Sequence, residues 1–288
     1  MMGPTSVILS CGTRLHLQHG PIDLIIGAEG DRHAAFDAAR ARFASVLDEL
    51  VDELPALRRP MTPETPRFNG SIAQLMFDAV LPHAGSLFVT PMAAVAGAVA
   101  DTVLAAMAAA TGNLSRAYVN NGGDIAVHLE PGASFQIAMA GADNSGLGQL
   151  RLSHGDGARG IATSGRLGRS LSLGIADSVT VTARSAAAAD VAATLIANAV
   201  DLPDHPGIGR ALAEDIDPDT DLTGHFVTTA CPRLPPSDVN TALARGLETA
   251  RRMQNNGLID AAALFLQGQC MTVALPETPE FERTPLYA

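Results

Sequence analysis

The apolar and polar positions of this chain repeat with two different periods. Near the start, alternating apolar residues on either side of a turn at 19–21 predict a β-hairpin. Similar segments predict further strands at 118–129 (two strands and a tight turn), 135–139, 150–152, 161–164, 178–182, 226–229, 264–265 and 271–273. Apolar residues at helical spacing predict helices over 31–54, 71–79, 90–110, 185–200 and 238–254.

Proline and hydroxyl residues set the predicted ends of several helices. We expect Pro55 to end the first helix and Ser71 to cap the second. Thr90-Pro91 is a good start for the third, because proline is favoured at the first helical position. Stretches rich in glycine and aspartate predict loops at 141–148 and 154–159.

The order of these elements indicates the fold class. Helices and strands are interleaved, but several neighbouring strands are joined by turns too short for a parallel crossover. This arrangement predicts an α+β fold with a largely antiparallel sheet packed with helices. No stretch has the composition of a flexible linker, so residues 1–288 are predicted to form a single compact domain.

Composition narrows the function classes. A net charge of −11 argues against nucleic-acid binding, which needs clustered lysine and arginine. Cys11, Cys231 and Cys270 show no metal-binding spacing, which predicts reduced thiols in a cytoplasmic protein. The apolar stretch 92–111 contains Asp101 and predicts a core helix rather than a membrane span. The alanine-rich composition leaves a homodimer open.

The helix predicted over 185–200 carries the most informative polar residues. Asp190, Thr194 and Asn198 are spaced four apart in an otherwise apolar segment, so they share one helix face. A buried carboxylate is costly unless it is paired or binds a metal, so this face predicts a site for phosphate or for a cation such as magnesium, which prefers oxygen ligands. The alternative is that backbone N–H groups satisfy Asp190 and that Thr194 bonds to its own helix.

Two glycine-rich segments are further candidates for ligand binding. In Asn120-Asn121-Gly122-Gly123-Asp124, the glycines permit positive φ and expose backbone N–H groups to a ligand; the alternative is a plain hairpin turn. The segment 162–170 combines the hydroxyls of Thr163 and Ser164 with glycines and two arginines, one of which is Arg166. That mixture suits phosphate or carboxylate recognition; the alternative is a mobile surface loop.

Several motifs occur here in a familiar order. They are Pro-Met-Ala-Ala-Val-Ala-Gly-Ala (91–98), Asn-Gly-Gly-Asp-Ile (121–125), Ala-Thr-Ser-Gly (162–165), Ser-x-Ser-x-Gly-x-Ala-Asp-x-Val (170–179) and Ala-Asp-x-x-x-Thr (189–194). The chain resembles the ApbE superfamily, whose best-known members are FAD:protein FMN transferases, and it is more similar still to an uncharacterised ApbE-like family. The resemblance spans roughly 12–275 and implies a duplicated T-fold-type α+β arrangement.

The resemblance also implies a magnesium site. In the transferases an aspartate and a threonine one turn apart hold the metal, and they match Asp190 and Thr194. A third ligand matches the backbone carbonyl of Ala93.

Two departures from the transferases affect the expected activity. Thr90 and Ala96 replace an acid and a base that contact the flavin nucleotide there, and 169–174 replaces a His-Ile-x-Asp-Pro run. Losing a charge that contacts a bound phosphate costs roughly 1.5–3 kcal/mol. Both changes argue against orthodox FMN transfer.

We therefore expect an ApbE-like protein that binds a flavin-like ligand (FAD or FMN-like) or another phosphate-bearing small molecule, with magnesium. If it is an enzyme, we expect transfer of a flavin, nucleotidyl or phosphoryl group. The expected ligand contacts are Asn121 to Asp124, which would cradle the molecule, and Thr163, Ser164 and Arg166, which would grip an anionic group. A pterin-linked protein of one-carbon metabolism and a non-catalytic binding or scaffold protein remain as alternatives.

Overall fold

The computed structural model describes residues 3–140 and 146–274. Its strands are β1 (Thr5–Ile8), β2 (Arg14–His19), β3 (Ile22–Gly30), β4 (Leu114–Asn121), β5 (Asp124–Leu129), β6 (Ser134–Ala140), β7 (Gly146–Ser153), β8 (Gly160–Ser164), β9 (Ser178–Ala183), β10 (Gly209–Leu212), β11 (Phe226–Ala230), β12 (Ala261–Leu266) and β13 (Gln269–Val273). Its α-helices are α1 (Arg32–Leu57), α2 (Ser71–Val80), α3 (Val95–Ala110), α4 (Ala186–Ala199), α5 (Ala213–Ile216) and α6 (Pro236–Asn255).

These elements form two compact units. The first comprises the chain up to Phe135 together with Ser153–Ala162 and Ala183–Val191; the second comprises Gln136–Leu152, Thr163–Thr182 and the chain from Ala192 onward. The α-helix α4 contributes its first part to one unit and its remainder to the other. The prediction that residues 1–288 form a single domain stays a prediction.

The first unit is built on antiparallel strands in the order β1-β2-β3-β4-β5-β8. The register pairs Ile26 with Val119 and Leu24 with Asn121. These four side chains are buried, and Asn121 contacts α3 through a hydrogen bond. The helices α1 and α3 pack against each other and against this sheet. Alternate strand residues therefore build the core between sheet and helices.

The second unit contains β9, β12 and β13, paired antiparallel in that order, with α6 packed against β12 and β13. The pairs β6-β7 and β10-β11 form two small separate sheets. Every residue of β9 is buried, as is nearly all of β12. This explains the continuous apolar sequence of β12, because a strand covered on both faces does not alternate.

The α+β class with a largely antiparallel sheet is confirmed, and three details of the prediction are wrong. Pro55 lies inside α1, which continues to Leu57; a proline this close to the end of a helix disrupts little of the remaining hydrogen bonding. Ser71 is the first helical residue, and Gly70 occupies the capping position without a side-chain bond. The loop expected at 141–148 is in part the strand β7, and its residues 141–145 lie outside the described residues.

The stretch Pro91–Ala110 is the one helical segment of the described chain that is long and apolar enough to cross a membrane by length and composition. It comprises a 3₁₀ turn (Pro91–Ala94) and α3. Within the first unit it packs against α1, β4 and β5, and Ala98, Val99 and Met107 are fully buried. Its apolar character therefore fits the core role that the sequence predicts.

Candidate functional site

Asp190, on α4, lies against the amino-terminal end of α3. Its Oδ2 atom accepts a hydrogen bond from the backbone N–H of Gly97 at 3.0 Å, and the N–H of Ala96 is a second backbone donor to the carboxylate. The first N–H groups of a helix lack partners within it and carry the positive end of its dipole. Asp190 therefore caps α3 with a hydrogen-bond acceptor, and the dipole of α3 favours the anionic form of this acceptor.

Asp101, on α3, caps α4 in the same way. Its two carboxylate oxygens accept hydrogen bonds from the backbone N–H groups of Ala186 at 3.0 Å and Ala187 at 2.9 Å. Each helix thus receives its cap from the other, and all of these groups belong to the first unit. Sequence reasoning did not propose Asp101 as a site residue; the available signal was a lone charge inside the apolar stretch 92–111.

Two glycines permit this close approach. A Cβ atom on Gly97 would lie 2.3 Å from the carbonyl oxygen of Ala186, and one on Gly160 would lie 2.0 Å from the carbonyl oxygen of Ser185. The opposing atoms are backbone, so they cannot rotate away as a side chain would. The amino-terminal end of α4 therefore packs directly on α3 and on β8.

The turn between β4 and β5 meets the same end of α3. The Nδ2 atom of Asn121 donates a hydrogen bond to the carbonyl oxygen of Ala96 at 3.1 Å. Gly122 and Gly123 have φ values of 67° and 116°, as the sequence predicts for these glycines. The Gly123 N–H donates to the side-chain oxygen of Asn120 at 2.9 Å, which holds the turn in shape. The motif segments 91–98, 121–125 and Asp190 thus converge in the first unit.

Near the amino-terminal end of α3, the charges of neighbouring carboxyl groups affect the pKa of Asp190. Burial and then the negative charge of Asp124 raise the pKa of Asp190 well above its usual value, although the N–H groups of Gly97 and Ala96 favour the anion. Burial raises the pKa of Asp101 to about 6 against its two backbone donors. Positive charge at Asp190, whether a proton or a cation, relieves this repulsion.

The atoms near the amino-terminal end of α3 that could coordinate a metal ion are mainly backbone and carboxylate oxygens. Ala93 lies in the 3₁₀ turn before α3, where its N–H donates to the carbonyl oxygen of Thr90 at 3.2 Å. No group of three or more histidine, cysteine, aspartate or glutamate residues suited to a metal occurs in the described ranges 3–140 and 146–274. A cation here would rely on Asp190, on the nearby charge of Asp124 and on backbone oxygens, a type of surroundings that suits magnesium.

The other predicted site residues belong to the second unit. Thr194 Oγ1 donates to Ser164 Oγ at 3.5 Å, and Thr163 Oγ1 lies 3.0 Å from Thr180 Oγ1. The first of these contacts brings Thr194 next to Ser164. Their roles toward a ligand stay predictions.

Arg166 forms an ion pair with Asp177. The second carboxylate oxygen of Asp177 accepts the backbone N–H of Gln267, so the pair links the loop after β8 to the turn between β12 and β13. Asn198, the third residue of the α4 face, accepts the backbone N–H of Leu173 at 3.0 Å. Both residues hold loops in place, and the anion contact expected of Arg166 stays a prediction.

The arrangement of strands and helices has a counterpart among solved structures. The crystal structure of an ApbE protein from Thermotoga maritima superposes with a TM-score of 0.51 at 10% sequence identity, covering 93% of this chain and 96% of that one. At this identity the likeness establishes the fold, which is of the ApbE type.

Sequence comparison identifies the family. The family model described as "AbpE bacteria" matches residues 6–272, so the chain belongs to this family. A "UPF0280 protein" from Methanosphaerula palustris is 35% identical over 166 residues, which span 57% of this chain and 66% of that protein. Another, from Methanopyrus kandleri, is 35% identical over 188 residues, which span 65% of this chain and 72% of its own length. The chain thus matches about two thirds of the length of these relatives.

Proposed function

We propose that this protein binds a flavin-like, phosphate-bearing small molecule, with magnesium, at the amino-terminal end of α3. The observation that supports the proposal is the convergence in the first unit of Asp190, the turn from Asn121 to Asp124 and the segment 91–98. The turn 121–125 and the segment 189–194 resemble the superfamily of FAD:protein FMN transferases, and 91–98 resembles the uncharacterised ApbE-like family.

The charges at α3 support the magnesium part of the proposal. Asp190 and Asp124 repel each other, and burial adds to the cost of the Asp190 anion. A divalent cation bound to Asp190 would offset this cost and would also attract a phosphate group. Within the first unit, the carbonyl of Ala93 is the further ligand that the resemblance implies. When bound, magnesium would supply charge neutralisation for phosphate.

A second candidate function is a binding or scaffold role without chemistry. The reciprocal caps made by Asp101 and Asp190 give Asp190 a structural task that needs no metal. Thr90 and Ala96 stand where the transferases carry an acid and a base. Both observations are explained if the family keeps the helix arrangement and has lost group transfer.

The test compares the wild type with Asp190→Asn and Asp101→Asn. Asparagine keeps an oxygen that accepts a capping N–H but removes the negative charge. Asp101→Asn is the matched control, because it makes the same change at the other helix end, outside the superfamily motifs. The melting temperature of metal-free protein is measured with FAD, FMN and a reduced pterin, each with and without magnesium, because a ligand that binds only the native state raises it.

We expect a magnesium-dependent rise with a flavin nucleotide in the wild type and in Asp101→Asn, and none in Asp190→Asn. Equal rises in all three proteins would show that Asp190 does not hold the metal. A rise with the pterin alone would favour the pterin-linked alternative. No rise with any of these molecules would favour the scaffold role.

A further inference from the structure

The first unit has a second candidate site on the other face of its sheet. The strand register pairs Arg14 with Gly27 and Gly27 with Tyr118, so these residues form one row across β2, β3 and β4. Successive strand residues point to opposite faces. This row therefore faces away from Ile26 and Val119, which are buried in the core.

A cavity of about 280 Å³ opens over this row. Three arginines, one glutamate and two aromatic rings are among its lining residues: Arg14, Arg32, Arg116, Glu29, Tyr118 and Phe135. Within the part of the chain that the structure describes, Glu29 forms its ion pair with Arg116, at 2.6 Å. The lining thus has an excess of positive charge, although the whole chain has a net charge of −11.

The walls of the cavity are held by internal contacts. Arg116 donates to the carbonyl oxygen of Ser134 at 2.8 Å, and its guanidinium lies 5.3 Å from the centre of the Phe135 ring. Phe135 in turn meets Tyr118 edge to face, with ring centres 5.8 Å apart. Arg32, which also lines the cavity, donates from Nε to the carbonyl oxygen of Ala28 at 3.0 Å.

Gly27 leaves room for the Tyr118 ring to lie against the sheet. A Cβ atom on Gly27 would lie 2.4 Å from Cε1 of Tyr118. The absence of a side chain in β3 therefore lets the ring lie directly on the strand. A glycine within a strand interior often marks such a close approach.

We propose that this cavity binds a small planar aromatic anion. Its ring would pack against Tyr118 and Phe135, and its carboxylate or phosphate would contact Arg14 and Arg32. Guanidinium groups suit carboxylate and phosphate through paired N–H donors. Aromatic walls add apolar contact area with preferred ring geometries. The cavity volume is at the small end of ligand pockets, which limits the occupant to about one or two fused rings.

Cys11 provides a native reporter for this cavity. Its Sγ atom lies 3.5 Å from Nε of Arg14 and 3.3 Å from Oγ1 of Thr13. The hydrogen bond from Arg14, followed by that from Thr13, lowers the pKa of the exposed Cys11 thiol to about 6. An anion that engages Arg14 would weaken this support and reduce the thiolate fraction.

The first measurement is calorimetric binding of naphthoate and naphthyl phosphate to the full chain, with neutral naphthamide as the matched ligand. We expect both anions to bind and the amide to bind about tenfold more weakly or not at all.

Arg14→Gln and Arg32→Gln should each weaken anion binding about tenfold. Arg151→Gln, which removes an exposed arginine on β7, should leave it unchanged. Unchanged melting temperatures would confirm that the variants are folded.

The second measurement is the rate at which iodoacetamide alkylates Cys11. Naphthoate should slow this reaction in the wild type, whereas naphthamide should not. The proposal is overturned if neither anion binds, if the amide binds as well as the acid, or if both arginine variants bind like the wild type. An alkylation rate that naphthoate leaves unchanged would likewise exclude contact with Arg14.

Discussion

The two faces of the first unit's sheet present opposite charges in opposite surroundings. On the helix side, Asp101 and Asp190 are held by backbone N–H groups, and burial raises the pKa of each. On the other side, Arg14 and Arg32 line an open cavity, and Arg14 lowers the pKa of Cys11. The same strands therefore adjoin acidic side chains with raised pKa values on one face and arginines on the other.

The difference shows how strand geometry separates chemistries that are adjacent in sequence. In β4, Asn121 bonds to α3, whereas Tyr118, three residues earlier, lines the cavity. Since successive residues alternate between faces, a short segment serves both sites without bringing their charges together. Burial raises the pKa of the acids on α3 and α4, which favours a proton or a cation there, whereas the arginines of the cavity favour anions.

The largest expected effect comes from filling the contact between α3 and α4. Gly97→Ala would place a Cβ atom 2.3 Å from the backbone of Ala186, so the helices must move apart and both caps lengthen. We expect a loss of about 3 kcal/mol or more in the free energy of unfolding, despite the better helix propensity of alanine. Chemical denaturation measures it. Gly112→Ala is the control, because nothing lies within 4 Å of its added Cβ atom; equal losses in both variants would contradict the close packing.

The next largest effect is a pH-dependent difference in the free energy of unfolding between the wild type and Asp101→Asn. The pKa of Asp101 in the folded protein is raised to about 6, so folding favours the protonated form. That contribution to stability is fully present below the ordinary pKa of an aspartate and is lost as pH rises through the folded value. Asparagine resembles the protonated acid and does not titrate. Between about pH 4 and about pH 8, the stability of Asp101→Asn relative to the wild type should rise by roughly 1–3 kcal/mol. Urea unfolding at both pH values measures it, and a pH-independent difference would disprove the raised pKa.

A smaller loss of stability is expected from a substitution at Gly27, on the sheet face that bears the cavity. Gly27→Ala would place a Cβ atom 2.4 Å from the Tyr118 ring, but a partly exposed side chain can move where a backbone cannot. We expect a cost of only about 1 kcal/mol, because the strand itself tolerates alanine. In a Tyr118→Ala background, Gly27→Ala should cost much less than in the wild type, and a double-mutant cycle measures this difference. A cost as large as that of Gly97→Ala would mean that the Tyr118 ring is as fixed as the backbone.

The smallest effect is kinetic and leaves stability unchanged. Arg14→Gln removes the cation that lowers the pKa of Cys11. At about neutral pH, alkylation of Cys11 should slow roughly threefold to tenfold, because a smaller thiolate fraction is partly offset by higher nucleophilicity. Mass spectrometry of the labelled cysteine measures the rate, with Arg151→Gln as the control. An unchanged rate in Arg14→Gln would show that Thr13 and the backbone alone support the thiolate.

Local sequence patterns predicted most of the helices and strands because the apolar residues of each element lie where that element is buried. The helix over 185–200, the hairpin around Asn121 and the α+β class all follow from residues close together in the chain. The short elements β10 and α5 were not predicted, because four residues are too few to show a period. The glycine pattern at 122–123 correctly predicted positive φ, since only glycine adopts it without strain.

The sequence by itself determined the motif segments, the fold class and the residue types of the site that we propose at α3. Only the tertiary structure decided that Asp101 and Asp190 cap each other's helices, since they are 89 positions apart in the chain. It also decided that Arg14, Arg32 and Arg116 line one cavity, because strand register, not chain order, brings them together. Local patterns encode which face of an element is buried, whereas long-range packing determines what that face meets.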